Sequence, residues 1–126
     1  MFEFFLSFVL VVSALSQSSA EQLTINESRA LLYVAGWPLK TIPEALDVMH
    51  CESRRIPNRI GDQGKSRGLL QIQWTLPANT WGGWRNVPEM SNLKTADIMD
   101  PLINLRAGLI IYQNFGGWNA WTCQPN

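Results

Sequence analysis

Apolar residues recur at helical spacing in three stretches of the chain, and each stretch carries its own start and stop signals. The first runs from about Asn26 to Ala35: Asn26 stands where a cap belongs, Ala30, Leu31, Val34 and Ala35 share one face, and Gly36 ends it. The second begins at Thr41-Ile42-Pro43-Glu44, which has the form of a capping box with proline in the first turn, where its missing N–H does no harm. Ala45, Val48 and Met49 form its apolar side, and Glu52 falls on that same side at the helix end. The third opens at Asp100-Pro101 with Asp100 as cap. It sets Leu102, Leu105, Leu109 and Tyr112 along one row and Ile103, Ala107 and Ile110 along a second, so it is expected to be largely buried, and Gly116-Gly117 ends it.

Between the second and third helices the pattern breaks. Pro57-Asn58, Gly61-Asp62 and Gly82-Gly83 interrupt the chain, and Arg59 to Gln73 reads as an irregular loop or a small hairpin. There is no internal repeat, low-complexity tract or linker. The expected fold is mainly α, α+β at most: a small helical domain with irregular connections. A length of 126 residues allows one domain with a real core. Six tryptophans are many for that length; Trp37, Trp118 and Trp121 are expected in the core, whereas Trp81 and Trp84, flanking Gly82-Gly83, are placed to stack on a sugar ring.

Glu52 changes the picture from fold to chemistry. Desolvation disfavours an ionised carboxylate, and the carbonyls at a helix C-terminus push the same way. Arg54 and Arg55 would oppose the shift, but as immediate sequence neighbours they need not share the face of Glu52. A carboxyl group held partly protonated near neutrality can give its proton to a leaving oxygen, as the acids of glycosidases do. The alternative is an ordinary glutamate at a frayed helix end, paired with a neighbouring arginine. Asp62 is the only strong candidate for a second carboxylate nearby, and its Gly-Asp setting reads first as a turn.

Phe4 to Leu15 is an apolar run too short to span a bilayer, followed by Ser18-Ser19-Ala20, small residues suited to signal-peptidase cleavage. Residues 1–20 are therefore expected to be a signal peptide and 21–126 the exported domain, with an uncleaved membrane anchor as the alternative, because Glu3 and no lysine or arginine precedes the run. Loss of Glu3 leaves ten bases against nine acids, a balance that argues against a nucleic-acid partner. Half of the bases, Arg54, Arg55, Arg59, Lys65 and Arg67, lie between Glu52 and Ile72, either as a solvated loop or as a basic rim for an anionic wall polymer. Two cysteines in an exported chain suggest a disulfide, which would tie Cys51, beside Glu52, to Cys123 near the C-terminus. His50, the only histidine, lies within helical reach of Asp47, and with no ligand-spaced cluster neither metal nor other cofactor is expected.

Gly64-Lys65-Ser66-Arg67-Gly68 spells the nucleophile elbow of serine hydrolases, but that site needs a histidine downstream, and His50 is upstream. A phosphate loop would need glycine where Arg59 stands. A different family fits the pieces in order. Glu52-Ser53 at a helix end, Pro57-Asn58, and then Gly61-Asp62-Gln63-Gly64-Lys65-Ser66-Arg67-Gly68-Leu69-Leu70-Gln71-Ile72 closely resemble the soluble lytic transglycosylase domains of the lysozyme superfamily. Asp100-Pro101, Asn104, Ala107, Tyr112 and Gly117-Trp118-Asn119-Ala120-Trp121 resemble the later part of such domains, so the likeness spans roughly Ala30 to Cys123.

The resemblance implies a lysozyme-like fold and cleavage of the β-1,4 bond between N-acetylmuramic acid and N-acetylglucosamine in peptidoglycan. By position, Glu52 matches the family's general acid and base, Ser66, Gly68 and Gln71 match the loop bordering the sugar cleft, and Tyr112 matches a tyrosine near the acid. Trp81 joins them as the candidate sugar platform. In single-acid members the counterpart of Glu52 protonates the glycosidic oxygen, then takes the proton of the muramic acid's own six-hydroxyl, which attacks the anomeric carbon and leaves a 1,6-anhydro end. An intramolecular nucleophile needs positioning and protonation rather than a captured water. The expected partner is the glycan strand of peptidoglycan, met by a monomer outside the cytoplasm. A hydrolytic lysozyme and a non-catalytic wall-binding module on the same fold are the alternatives.

Overall fold

The computed structural model describes residues 21–73 and 87–126, so the expected signal peptide at 1–20 and the expected sugar-stacking Trp81 and Trp84 lie outside the described residues. Within them the fold is mainly α with one small antiparallel sheet. Four α-helices, α1 (Ile25–Ala35), α2 (Ile42–Ser53), α3 (Thr95–Ile98) and α4 (Pro101–Asn114), accompany three two-residue strands, β1 (Ile60–Gly61), β2 (Ser66–Arg67) and β3 (Ile72–Gln73).

α4 is the hub. α1, α3 and the closing turn at Gly117–Ala120 pack on it, and α2 packs on α1. Its start is the expected one: the Asp100 carboxylate accepts the N–H groups of Leu102 and Ile103 at 2.9 and 3.0 Å, and Pro101 is the first helical residue. Its fully buried side is Asn104, Leu105, Ala107, Gly108 and Ile111, a strip between the two predicted rows, while Leu102, Ile103, Leu109, Ile110 and Tyr112 are half-buried. The small residues explain the offset, because at Gly108 any side chain would meet Leu70 Cδ1. Trp37, Trp118 and Trp121 are buried as expected; Trp37 stacks on Trp118 at 5.3 Å and donates its Nε1–H to Leu105 O at 2.9 Å.

Two helix starts differ from the expected ones. Thr24, not Asn26, caps α1: its hydroxyl accepts the Glu27 N–H at 3.0 Å, and the Glu27 carboxylate accepts the Thr24 N–H at 2.8 Å. Asn26 instead accepts from Arg29 Nη1 at 2.7 Å. The inward face is Ser28, Leu31, Leu32 and Ala35, so Ala30 and Val34 point out. At α2 the capping box does not form. A 3₁₀ turn at Leu39–Thr41 runs straight into the helix, so Thr41 already has helical dihedrals and its hydroxyl donates back to Pro38 O at 2.7 Å. Ala45, Val48 and Met49 are fully buried, as their spacing predicts.

The segment read as loop or small hairpin is a three-stranded meander in which Gly61 faces Ser66 and Ser66 faces Gln73. Strands this short cannot stand alone. Asn104, wholly buried on α4, holds them: its Nδ2 donates to Arg67 O at 3.0 Å and to Ile98 O at 2.9 Å, and its Oδ1 accepts the Leu70 N–H at 2.9 Å. A Cys51–Cys123 disulfide, with Cα atoms 6.0 Å apart, joins the last turn of α2 to the C-terminal segment. No helix among the described residues is long and apolar enough to cross a membrane.

Candidate active site

Glu52 lies in the last turn of α2, and the chain leaves it through an abrupt corner. Buried Ser53 secures the corner, its hydroxyl donating to Met49 O at 3.1 Å and accepting the Arg55 N–H at 3.2 Å. Arg54 and Arg55 both adopt left-handed backbone conformations, φ 56° and 61°. The corner is also stitched to the start of the domain: Leu23 N–H donates to Arg55 O at 2.8 Å, Arg55 Nε to Leu23 O at 2.9 Å, and Gln22 Nε2 to Arg54 O at 2.8 Å. Arg55 Nη1 reaches His50 Nδ1 at 2.8 Å. His50 thus pairs with Arg55 rather than with Asp47, whose carboxylate accepts the Asn126 N–H at 3.3 Å.

Freed of the arginine, the Glu52 carboxyl opens on a recess whose polar lining includes Asp62, Ser66, Gln71 and Gln73 and whose apolar lining is Ile72, Ile111, Ala120 and Trp121. The enclosed space is about 50 Å³, room for a few water-sized groups rather than a sugar ring. Burial raises the pKa of half-buried Glu52 above the ordinary 4.5; the nearby Asp62 carboxylate adds to the rise, and the Cys123 N–H, 3.3 Å from Oε2, opposes it. Desolvation is the largest cause, as the helical spacing predicts, and Asp62 supplies a like charge of the kind that also favours protonation.

Across the recess, the buried hydroxyl of Ser66 donates to Asp62 Oδ2 at 2.5 Å. Gln71 Nε2 donates to Gly68 O, which closes the loop between β2 and β3, and to Arg59 O just ahead of β1, both at 2.9 Å. Ser66 and Gln71, 14 and 19 positions after Glu52, therefore meet it at one place. Gly68 and Tyr112 do not come to the recess. Gly68 is buried with φ +80°, where a side chain would meet Asn104 Nδ2, and Tyr112 packs its ring 5.4 Å from Trp37 and 5.0 Å from Trp118. Of the five bases, only Arg54, Arg59 and Lys65 are exposed; Arg55 and Arg67 are half-buried, so the rim is thinner than the sequence suggests.

Asp62 is both a turn residue and part of the recess, a double role its Gly-Asp setting disguises. Its signal in the sequence is the serine four residues on, the spacing that lets the hydroxyl reach back across the turn. All five non-glycine residues with positive φ among the described residues, Arg54, Arg55, Asp62, Gln63 and Gln71, fall in the segment that frames Glu52. Such conformations cost about 1–3 kcal/mol each and persist where the surroundings enforce them, commonly at functional sites.

Comparison of the chain with protein families, with characterised proteins and with solved structures finds no match.

Proposed function

We propose that this chain is an exported peptidoglycan lytic transglycosylase of the lysozyme superfamily, with Glu52 as its single acid and base. The observation that carries the reading is a half-buried carboxyl group of raised proton affinity opening on a recess shared with Ser66 and Gln71. Protonated Glu52 gives its proton to the oxygen linking N-acetylmuramic acid to N-acetylglucosamine, and the C1–O bond breaks. Glu52, now a carboxylate, takes the proton of the muramic acid's six-hydroxyl as O6 bonds to C1. The acid is regenerated and no water is consumed. The disulfide supports an oxidising, extracytoplasmic location, since such bonds are rare in a reducing cytoplasm.

The Asp62 carboxylate on the same recess favours a second reading, a hydrolytic muramidase in which it orients a water. Digesting purified peptidoglycan and weighing the fragments separates the two: hydrolysis adds one water across each cleaved bond, and transglycosylation leaves anhydromuramic ends lighter by that mass. Undiminished lysis by Glu52→Gln refutes both.

A further inference from the structure

The Glu52 carboxyl touches the C-terminal segment through the backbone N–H of Cys123, and Cys123 is itself bonded to Cys51, the residue before Glu52. The last firmly seated residue ahead of that contact is Trp121, 8 % exposed, with its Nε1–H on Leu70 O at 2.8 Å. Past it the chain comes to the surface: Thr122 is exposed, Cys123 is half-buried, and the exposed Gln124 turns its amide back on the carbonyls of Trp118 and Trp121. The other tie to α2 is the long hydrogen bond from Asn126 N–H to Asp47.

We propose that the Cys51–Cys123 disulfide is a positioning element of the active site, holding the Cys123 N–H and the adjoining Thr122 wall against Glu52, so that the carboxyl group keeps its working orientation on the recess only in the oxidised chain. The inference rests on Glu52 being the acid. Reduction by a dithiol delivers two electrons and two protons to the S–S bond, giving two cysteine thiols and the cyclic disulfide of the reductant. Trp121 stays seated in the core, and the two residues after it lose their covalent tether to α2, leaving only the hydrogen bonds of Gln124 and the long one from Asn126 to Asp47. The loop carrying Ser66 and Gln71 is held by Asn104 and by its own bonds, not by the disulfide, so glycan binding survives and the chemical step suffers. A reducing compartment would then hold the enzyme folded but disarmed until export oxidises it. Asp62 is the only other ionisable side chain lining the recess among the described residues, and it stays in place.

The test compares the full-length chain with Cys51→Ser/Cys123→Ser, well below the melting temperature of each. In the oxidised chain the ¹⁵N–¹H shift of residue 123 follows the ionisation of Glu52; in the variant that dependence disappears, kcat on peptidoglycan falls by about 10²-fold, and KM holds. A residue-123 amide that still follows Glu52 in the folded variant, or an unchanged kcat, overturns the proposal. Should the variant not fold, an amide at 123 indifferent to Glu52 in the oxidised chain overturns it equally. An oxidised chain that leaves peptidoglycan uncleaved counts against the glycosidase reading alone, because the amide response needs no substrate.

Discussion

At the scale of single residues, the chemistry of Glu52 has a thermodynamic cost that can be measured. Its folded pKa lies above its unfolded one, so as pH rises through 4.5 the unfolded chain releases this proton first. Stability then falls until the folded group also ionises, and the deficit persists at neutral pH. Glu52→Gln removes the deficit. Thermal unfolding at neutral pH is expected at a higher temperature in that variant, the difference closing below pH 4.5, while cleavage drops by about 10²–10⁴-fold. Two glycines give a second residue-scale contrast. Gly64 has φ +93° and open space around it, so Gly64→Ala should cost about 1–2 kcal/mol in urea denaturation for backbone strain alone. Gly68→Ala adds the collision with Asn104 and should cost roughly 2–5 kcal/mol.

At the scale of elements, caps and clamps are what the sequence half concealed. Thr24→Ala removes a complete capping box and is expected to lower stability by about 1 kcal/mol by chemical denaturation, whereas Thr41→Ala, which removes no cap, should cost less. Asn104→Ala would strand Leu70 N–H, Arg67 O and Ile98 O in the interior at about 1–3 kcal/mol for each unsatisfied group. Hydrogen exchange in that variant should open the meander before α2. The three helices, the Asp100 cap and the buried tryptophans were legible, because periodicity and punctuation are local. α1 misled because apolar Val34 and Tyr33 face an open groove that also holds Leu39, while a serine, Ser28, faces in. Of the candidate site residues, Glu52, Ser66 and Gln71 line one recess. Gly68 and Tyr112 lie away from that recess, because their places depend on Asn104 and Trp37, partners far off in sequence.

For the whole molecule, the disulfide closes a loop of 72 residues' separation and should stabilise by about 4 kcal/mol on the chain-entropy account. For a domain of this size that lowers the melting temperature on reduction by roughly 15–30 °C, readable by calorimetry with and without a dithiol. The paired contacts of Gln22 and Leu23 with the corner at Arg54 and Arg55 carry a different consequence. Trimming through Leu23 unlaces that corner and lets the turn beneath Glu52 fray. Proteolytic nibbling that removes Leu23 would loosen the turn beneath Glu52 just as it reached the Thr24 cap of the first helix.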